Sequence, residues 1–361
     1  MSSRAVQSFV MRPERIQFGI VGLGTIADFH ARAVQALTGA GLHACYSRDM
    51  EKAKRFAERY GCLPYADYEA FLADPRVDVV CIATPSGAHR DPAIAAARAG
   101  KHVAVEKPLE VTPDRCQQII DACARKRVKL VTIFPSRFKD VTKVIKQALD
   151  EKRIGKPVSG SAFIRWYRDQ AYYDSGAWRG TKALDGGGCL MNQGIHAVDL
   201  LIHLMGDPVE VFAYTSRPSR KRIEVETHVV ANVKFKNGAL GVIEASTEMY
   251  PGYPKCLWIS GTEGSIAVEE DDLLHWTFSK PRRSDKTILG KFAAGAEASG
   301  GASDPRAISH EGHQRQFQDL VDALRGKKTR PGCAGREGMR SVKLICAIYE
   351  SARTGKSVRV G

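Results

Sequence analysis

Glu106-Lys107-Pro108 ends the short apolar strand Lys101-His102-Val103-Ala104-Val105. An ordinary lysine, with a pKa of about 10.4, is a poor base. Burial or cationic neighbours bring such an amine toward roughly 7–8, where it can take a proton. If it stays charged, it can still steady a developing alkoxide. Upstream stands Gly22-Leu23-Gly24-Thr25-Ile26-Ala27, a Gly-x-Gly-x-x-Ala loop between an apolar strand and a helical segment. In that setting Gly22 permits the tight turn and Gly24 lets a pyrophosphate approach the backbone. Ala27 keeps the helix close to the strand, and the first turn, with Thr25 and Ile26, aims its N–H groups at phosphate. A lysine at the carboxyl edge of such a sheet can reach a bound nicotinamide and touch a hydroxyl oxygen as hydride leaves the neighbouring carbon. The two motifs in this order predict a dehydrogenase. Pro108 makes a cis Lys-Pro bond possible.

The cofactor type is read after the second strand, at Tyr46-Ser47-Arg48-Asp49. NAD sites usually place a carboxylate there for the ribose 2′-hydroxyl. Ser47 and Arg48 suit a 2′-phosphate instead, so NADP is favoured over NAD. Asp49 comes late and suits the cap of the next helix. Asn192 and His196 lie four apart on an expected helix after Gly186-Gly187-Gly188, and so share a face. The asparagine can orient the imidazole by a hydrogen bond but supplies no charge, which shifts the role of base toward Lys107. Glu106 can orient Lys107 or pair with it. Asp199 lies further along the same helix, where packing is as good an explanation as function. His310 and His313 flank Glu311 without a third ligand, so no metal is expected.

These residues need a scaffold. Apolar runs at Ile16–Val21, Leu42–Tyr46, Val77–Ala83, Lys101–Val105 and Val128–Phe134 alternate with helical patterns at Ile26–Leu37, Met50–Tyr60, Tyr68–Leu72, His89–Ala99 and Pro113–Arg127. That alternation predicts a doubly wound parallel sheet of the Rossmann type over residues 14–135, behind a tail at 1–13. After Pro135 a helix from Val141 precedes consecutive β-type runs, two of them joined by the turn Asn237-Gly238. The fold class is therefore α/β, with a second, α+β unit over 136–361 built on a large, mostly antiparallel open sheet. Residues 280–305 read as a long mobile loop, and helices from His313 and Arg336 close the chain.

The net charge of +14 raises the question of nucleic acid. The basic residues are dispersed, with short clusters at Arg125–Arg127, Arg217–Arg222 and Lys327-Lys328, and no helix-turn-helix or RNP pattern accompanies them. Anionic small molecules are the better match. No apolar run is long enough to span a bilayer, and the N-terminus lacks a secretory pattern. Nine cysteines without a framework read as reduced thiols. Together these place the protein in the cytoplasm, without membrane or nucleic-acid partners.

The chain resembles the Gfo/Idh/MocA oxidoreductases from Ile16 to Arg359. The marks are the glycine loop, Ala83-Thr84-Pro85-Ser86-Gly87-Ala88-His89, Glu106-Lys107-Pro108, Trp178-Arg179-Gly180-Thr181, Gly186-Gly187-Gly188, Asn192 to Asp199 and Ile348 to Lys356. The resemblance implies a nicotinamide between two domains, near Lys107 and His196. His196 would be the general base or its proton partner. Thr84, Pro85 and Ser86 would line the cofactor edge, with His89 near the cleft; relatives often carry asparagine where Ser86 stands. Many also carry aspartate at the position of Asn192. The segment with Arg165, Tyr167, Tyr172, Trp178, Arg179 and Lys182 would cover the substrate, aromatic rings stacking on a sugar and cations holding an anionic group. The open sheet would carry a homodimer or homotetramer contact. The activity implied is hydride transfer on a sugar, nucleotide-sugar or cyclic polyol. Alternatives are a silent NAD(P)-sensing regulator and a dihydrodiol dehydrogenase-like enzyme.

Overall fold

The alternating half of the chain forms one parallel sheet. In the computed structural model, which describes residues 15–293 and 310–361, strands β1 (Ile16–Val21), β2 (Ala40–Tyr46), β3 (Leu63–Tyr65), β4 (Val79–Ile82), β5 (His102–Val105) and β6 (Leu130–Thr132) lie in the order β3-β2-β1-β4-β5-β6. All pairs are parallel. β4, with Val79, Val80, Cys81 and Ile82 all buried, is apolar throughout because helices cover both faces. The connecting helices are α1 (Thr25–Gln35), α2 (Met50–Tyr60), α3 (Tyr68–Ala73), α4 (Arg90–Arg98) and α5 (Pro113–Arg125). Asp49, Asp67 and Thr112 cap α2, α3 and α5 through their side chains. The strand order reverses between β1 and β4, which opens a crevice beyond their carboxyl ends.

After α6 (Asp140–Asp150) the chain builds an eight-stranded sheet from β7 (Pro157–Arg165), β8 (Pro208–Ser216), β9 (His228–Phe235), β10 (Leu240–Ser246), β11 (Cys256–Gly261), β12 (Gly264–Glu269), β13 (Asp272–Phe278) and β14 (Val358–Arg359). Only β7 and β10 pair in parallel. Between β7 and β8 run α7 (Gln170–Asp174), a turn of π-helix at Cys189–Gly194 and α8 (Ile195–Met205). The alternation in β9 is plain: Val229, Ala231, Val233 and Phe235 are buried, while Val230, Asn232 and Lys234 face outward. α8 and α11 (Gly335–Thr354) cover the inner face. The outer face is left open with Tyr214, Val230, Leu240 and Trp258 on it.

Two expectations change. Residues 283–292 are helix α9 (Arg283–Phe292), not loop. Arg153 donates to both carboxylate oxygens of Asp285 at 2.7 and 2.8 Å, and Trp276 Nε1 donates to the same group at 2.8 Å. That tertiary anchor is invisible to a reading of local composition; the rest of the expected loop, and the tail at 1–13, lie outside the described residues. The break at 135/136 is also crossed. Helix α10 (Glu311–Leu324) returns to the first sheet, where Phe317, Leu320 and Val321 join Phe18 and Ile20 in one core. Asp199 proves to be a packing group, held by the buried Arg137 guanidinium at 2.6 and 2.7 Å. All nine cysteines are free. Among the described residues no helix is long and apolar enough to cross a membrane.

Candidate active site

The glycine loop lies at the crevice. Gly22 has φ +88°, and a Cβ there would come within 2.8 Å of the Ala83 and Thr84 backbone, so only glycine lets this turn press on the end of β4. Gly24 is the N-cap of α1 and makes no side-chain cap; a Cβ on it would meet nothing within 4 Å. At the head of α1 Gly24 and Thr25 are exposed and Ile26 is half-buried, while Ala27 is buried against the strands. An uncapped helix N-terminus with a cleared approach fits a pyrophosphate. At the end of β2, Asp49 accepts from Lys52 N at 3.1 Å, so its carboxylate is spent on α2. Ser47 is half-buried, its Oγ accepting from Asp49 N at 3.2 Å, and Arg48 is exposed, its guanidinium without a partner among the described residues.

The loop after β4 joins the two halves. Gly87 N donates to Leu184 O at 2.8 Å, and Thr84 Oγ1 donates to Ala88 O at 3.0 Å, with Pro85 and Ser86 between. His89 is turned inward, its ring nitrogens 2.8 Å from Pro108 O and 2.9 Å from Thr84 O. It clamps the cleft loops together. Glu106 is likewise a buried support. Its carboxylate meets His30 Nε2 at 2.7 Å and accepts from Lys107 N at 3.1 Å. Burial pushes this acid up, but the His30 hydrogen bond and the charges of His30, His313 and Lys107 outweigh it and hold it at about 2.

Lys107, joined to Pro108 by a cis peptide bond, reaches across the cleft, and its Nζ donates to the backbone oxygen of Asn192 at 2.7 Å. Burial lowers its pKa; Glu106 and Asp185 oppose that, and Arg179 adds to it. His196 is pushed well below its ordinary value by burial and then by the Lys107 charge, so the ring is neutral at neutral pH. Its Nδ1 is buried without a partner among the described residues. The expected hydrogen bond from Asn192 to His196 is not formed. Asn192 lies in the π turn, which breaks the four-residue spacing of a regular helix, and its Nδ2 donates to Asp185 Oδ1 instead. The π turn is held by Glu226, whose carboxylate accepts from Gly188 N, Leu190 N and Tyr349 OH.

The substrate-segment residues separate into two groups. Tyr172 OH accepts from Arg179 Nη1 and Gln193 Nε2, both at 2.6 Å, and Gln193 in turn lies 3.3 Å from Asn192 Oδ1. Arg179 stacks over Tyr172 and Trp178 at 4.3 and 4.6 Å. Buried Arg168 reaches Gln193 Oε1 at 3.4 Å. These side chains connect to Lys107 through Asn192. Arg165 does not: it binds Glu244 at 2.6 and 2.8 Å and stacks on Phe163 on the outer face of the second sheet. The alternation of β7 turns it away from the cleft. Tyr167 belongs to a separate group with Tyr250 and Arg220, and Lys182 is exposed. Asp185, Gln193 and Arg168 escaped the sequence reading. Asp185, heading the glycine run, carried the one signal that could have shown it.

His313 finds the neighbours its own segment lacks. Its ring, His30 and Glu106 bring ligand-type atoms within 4.8 Å of one another, all buried. Zinc accepts such donors, but two ligands on a tetrahedral ion stand about 3.3 Å apart. The 2.7 Å contact of His30 with Glu106 is a hydrogen bond.

Comparison with known proteins identifies the family. Residues 16–134 match the oxidoreductase family with an NAD-binding Rossmann fold, and residues 142–267 match the GFO/IDH/MocA C-terminal domain. Myo-inositol 2-dehydrogenase of Thermotoga maritima is 32% identical over 264 residues, 70% of this chain and 75% of that protein. The WlbA dehydrogenase of Bordetella pertussis, solved with NADH and UDP-GlcNAcA, superimposes with a TM-score of 0.88 at 31% identity, covering 97% of this chain and 99% of the other. The Chromobacterium violaceum WlbA complex with the same two ligands gives 0.85 at 32% identity, covering 97% of each chain. The chain belongs to the Gfo/Idh/MocA family of nicotinamide-dependent oxidoreductases.

Proposed function

We propose that the protein oxidises or reduces a secondary alcohol or ketone on a sugar, with a nucleotide-sugar as the best-supported substrate. The observation that carries this is Lys107, drawn across the cleft to Asn192 beside Tyr172, Arg179 and Gln193. The basic, aromatic wall suits an anionic glycoside, and two similar solved structures hold UDP-GlcNAcA. The bound nicotinamide supplies the hydride acceptor or donor. In the oxidative direction the hydroxyl proton passes to neutral Lys107 Nζ as hydride leaves the carbon. In the reductive direction the ammonium returns it. His196, a neutral ring beside Lys107, orients the reacting oxygen rather than serving as the main base.

Gly22, Gly24, Thr25, Ile26 and Ala27 hold the pyrophosphate in this reading, and Thr84, Pro85 and Ser86 border the nicotinamide side. NADP(H) is preferred over NAD(H), because Asp49 is spent as a cap while Arg48 is exposed and unpaired among the described residues and the Ser47 hydroxyl keeps its proton to donate; the NADH in the similar structures argues the other way. The nucleotide-binding unit is residues 14–135 completed by α10, and the remainder binds substrate. The open face of the second sheet forms a homodimer or homotetramer, and the protein works in the cytoplasm.

A spectrophotometric assay at about 340 nm with UDP-GlcNAcA, hexoses and myo-inositol against both cofactors tests the reading. Turnover that Lys107→Ala lowers about 10²- to 10⁴-fold, with cofactor binding retained, supports it. No turnover on any of these substrates with either cofactor overturns it.

A further inference from the structure

We propose that Asp185 is a positioning residue that acts through Asn192 to set the proton affinity of Lys107. The carboxylate is 2% exposed, although it sits on a loop rather than a helix or strand. One oxygen accepts from Gly180 N at 2.8 Å and the other from Asn192 Nδ2. The same asparagine presents its backbone oxygen to Lys107 Nζ at 2.7 Å. One residue thus joins the acid to the lysine, with its side chain on one and its main chain on the other. The acid keeps the π turn in the position from which its carbonyl meets the amine. Its negative charge also offsets the burial that would strip Lys107 of its proton.

The charged groups around the pair are few and have distinct origins. Glu106 faces Lys107 from the end of β5, Arg179 faces both Lys107 and Asp185 from the substrate loop, and His196 faces Lys107 from α8. Glu106 is kept ionised by His30, so it is a constant background. Burial raises Asp185 to about 6, against the Gly180 and Asn192 hydrogen bonds and the charges of Lys107 and Arg179. It is therefore the acid beside Lys107 whose charge changes just below neutrality. The arrangement puts a carboxylate near the lysine although position 192 is an asparagine.

The inference rests on Lys107 being the working amine, and its test needs no substrate. Competitive acetylation across a pH series, read by mass spectrometry on the Lys107 peptide, gives the apparent pKa of that amine. Asp185→Asn keeps the size of the side chain and its acceptor for Gly180 N–H. It should lower the Lys107 pKa by about one unit, or tenfold in proton affinity. Asn192→Asp should raise it, and the double exchange Asp185→Asn with Asn192→Asp should restore the wild-type value, because the charge stays within the pair. A merely structural role would not survive that exchange with such a signature. An unchanged Lys107 titration in Asp185→Asn protein with intact circular dichroism overturns the proposal. If that variant does not fold, an unchanged titration in Asn192→Asp overturns it instead. Where UDP-GlcNAcA is turned over, the pH profile of kcat should move with the labelling curve. Labelling that shifts as stated without turnover would sink the proposed substrate and leave the coupling standing.

Discussion

At the residue scale, the cleft separates groups that titrate together in a sequence but not in the fold. Glu106 is held at about 2 and Asp185 raised to about 6, though both flank one lysine. The signs for stability differ accordingly. Glu106, depressed from 4.5, contributes stability above its unfolded value, and this is lost as pH falls toward 2. Asp185, raised from 3.8, contributes stability below its unfolded value that is lost as pH rises through about 6. Glu106→Gln should therefore lower the melting temperature at neutral pH and flatten its acid limb. Asp185→Asn should remove the gain in stability that wild type shows as pH falls through about 6, while altering Lys107. Differential scanning calorimetry over a pH series checks both. At the other end of the cleft, Arg48→Ala should weaken NADP(H) about 10- to 100-fold and leave NAD(H) nearly unchanged. Equal losses for the two cofactors, by fluorescence titration, would remove the case for a 2′-phosphate site.

At the element scale, two glycines of one loop serve different ends. Gly22 is needed by the fold, since its φ is +88° and the β4 end stands against it. Gly24 is not needed by the fold, since a Cβ there meets only open space, and its proposed role is to let a ligand approach. Gly22→Ala should cost about 1–3 kcal/mol of stability. Gly24→Ala should melt like wild type and lose dinucleotide affinity. A thermal shift assay with and without NADPH separates them; a Gly24→Ala protein that binds NADPH normally would argue against the phosphate cradle. This loop was legible because its residues act within one βα turn. The Asn192–His196 relation was not, because an inserted π turn alters the spacing on which a shared helical face depends. Helix α9 was hidden for a similar reason: its anchor, Arg153, lies 132 residues away from Asp285.

At the scale of the whole molecule, the eight-stranded sheet has one face covered by helices and one left open. Tyr214 and Val230 stand opposite each other there on β8 and β9, and Arg165 pairs with Glu244 across β7 and β10. Such apolar groups on an open face are the basis of the homo-oligomer proposed above. Tyr214→Lys combined with Val230→Lys should shift the protein to a smaller species in size-exclusion chromatography with light scattering, with the melting transition preserved. A monomeric wild type would remove this assembly.

The parallel nucleotide-binding sheet, its glycine loop, the helix caps and Lys107 at a strand end were determined by the sequence itself, since periodicity, turn chemistry and capping act over a few residues. The tertiary structure decided the partners of the chemical groups. It paired Asn192 with Asp185 rather than His196, turned Glu106 toward His30 and His89 toward two carbonyls, and put Arg165 outside the cleft. Hydrogen bonds and burial join residues far apart in the chain, and these, more than residue type, set which groups hold protons beside Lys107.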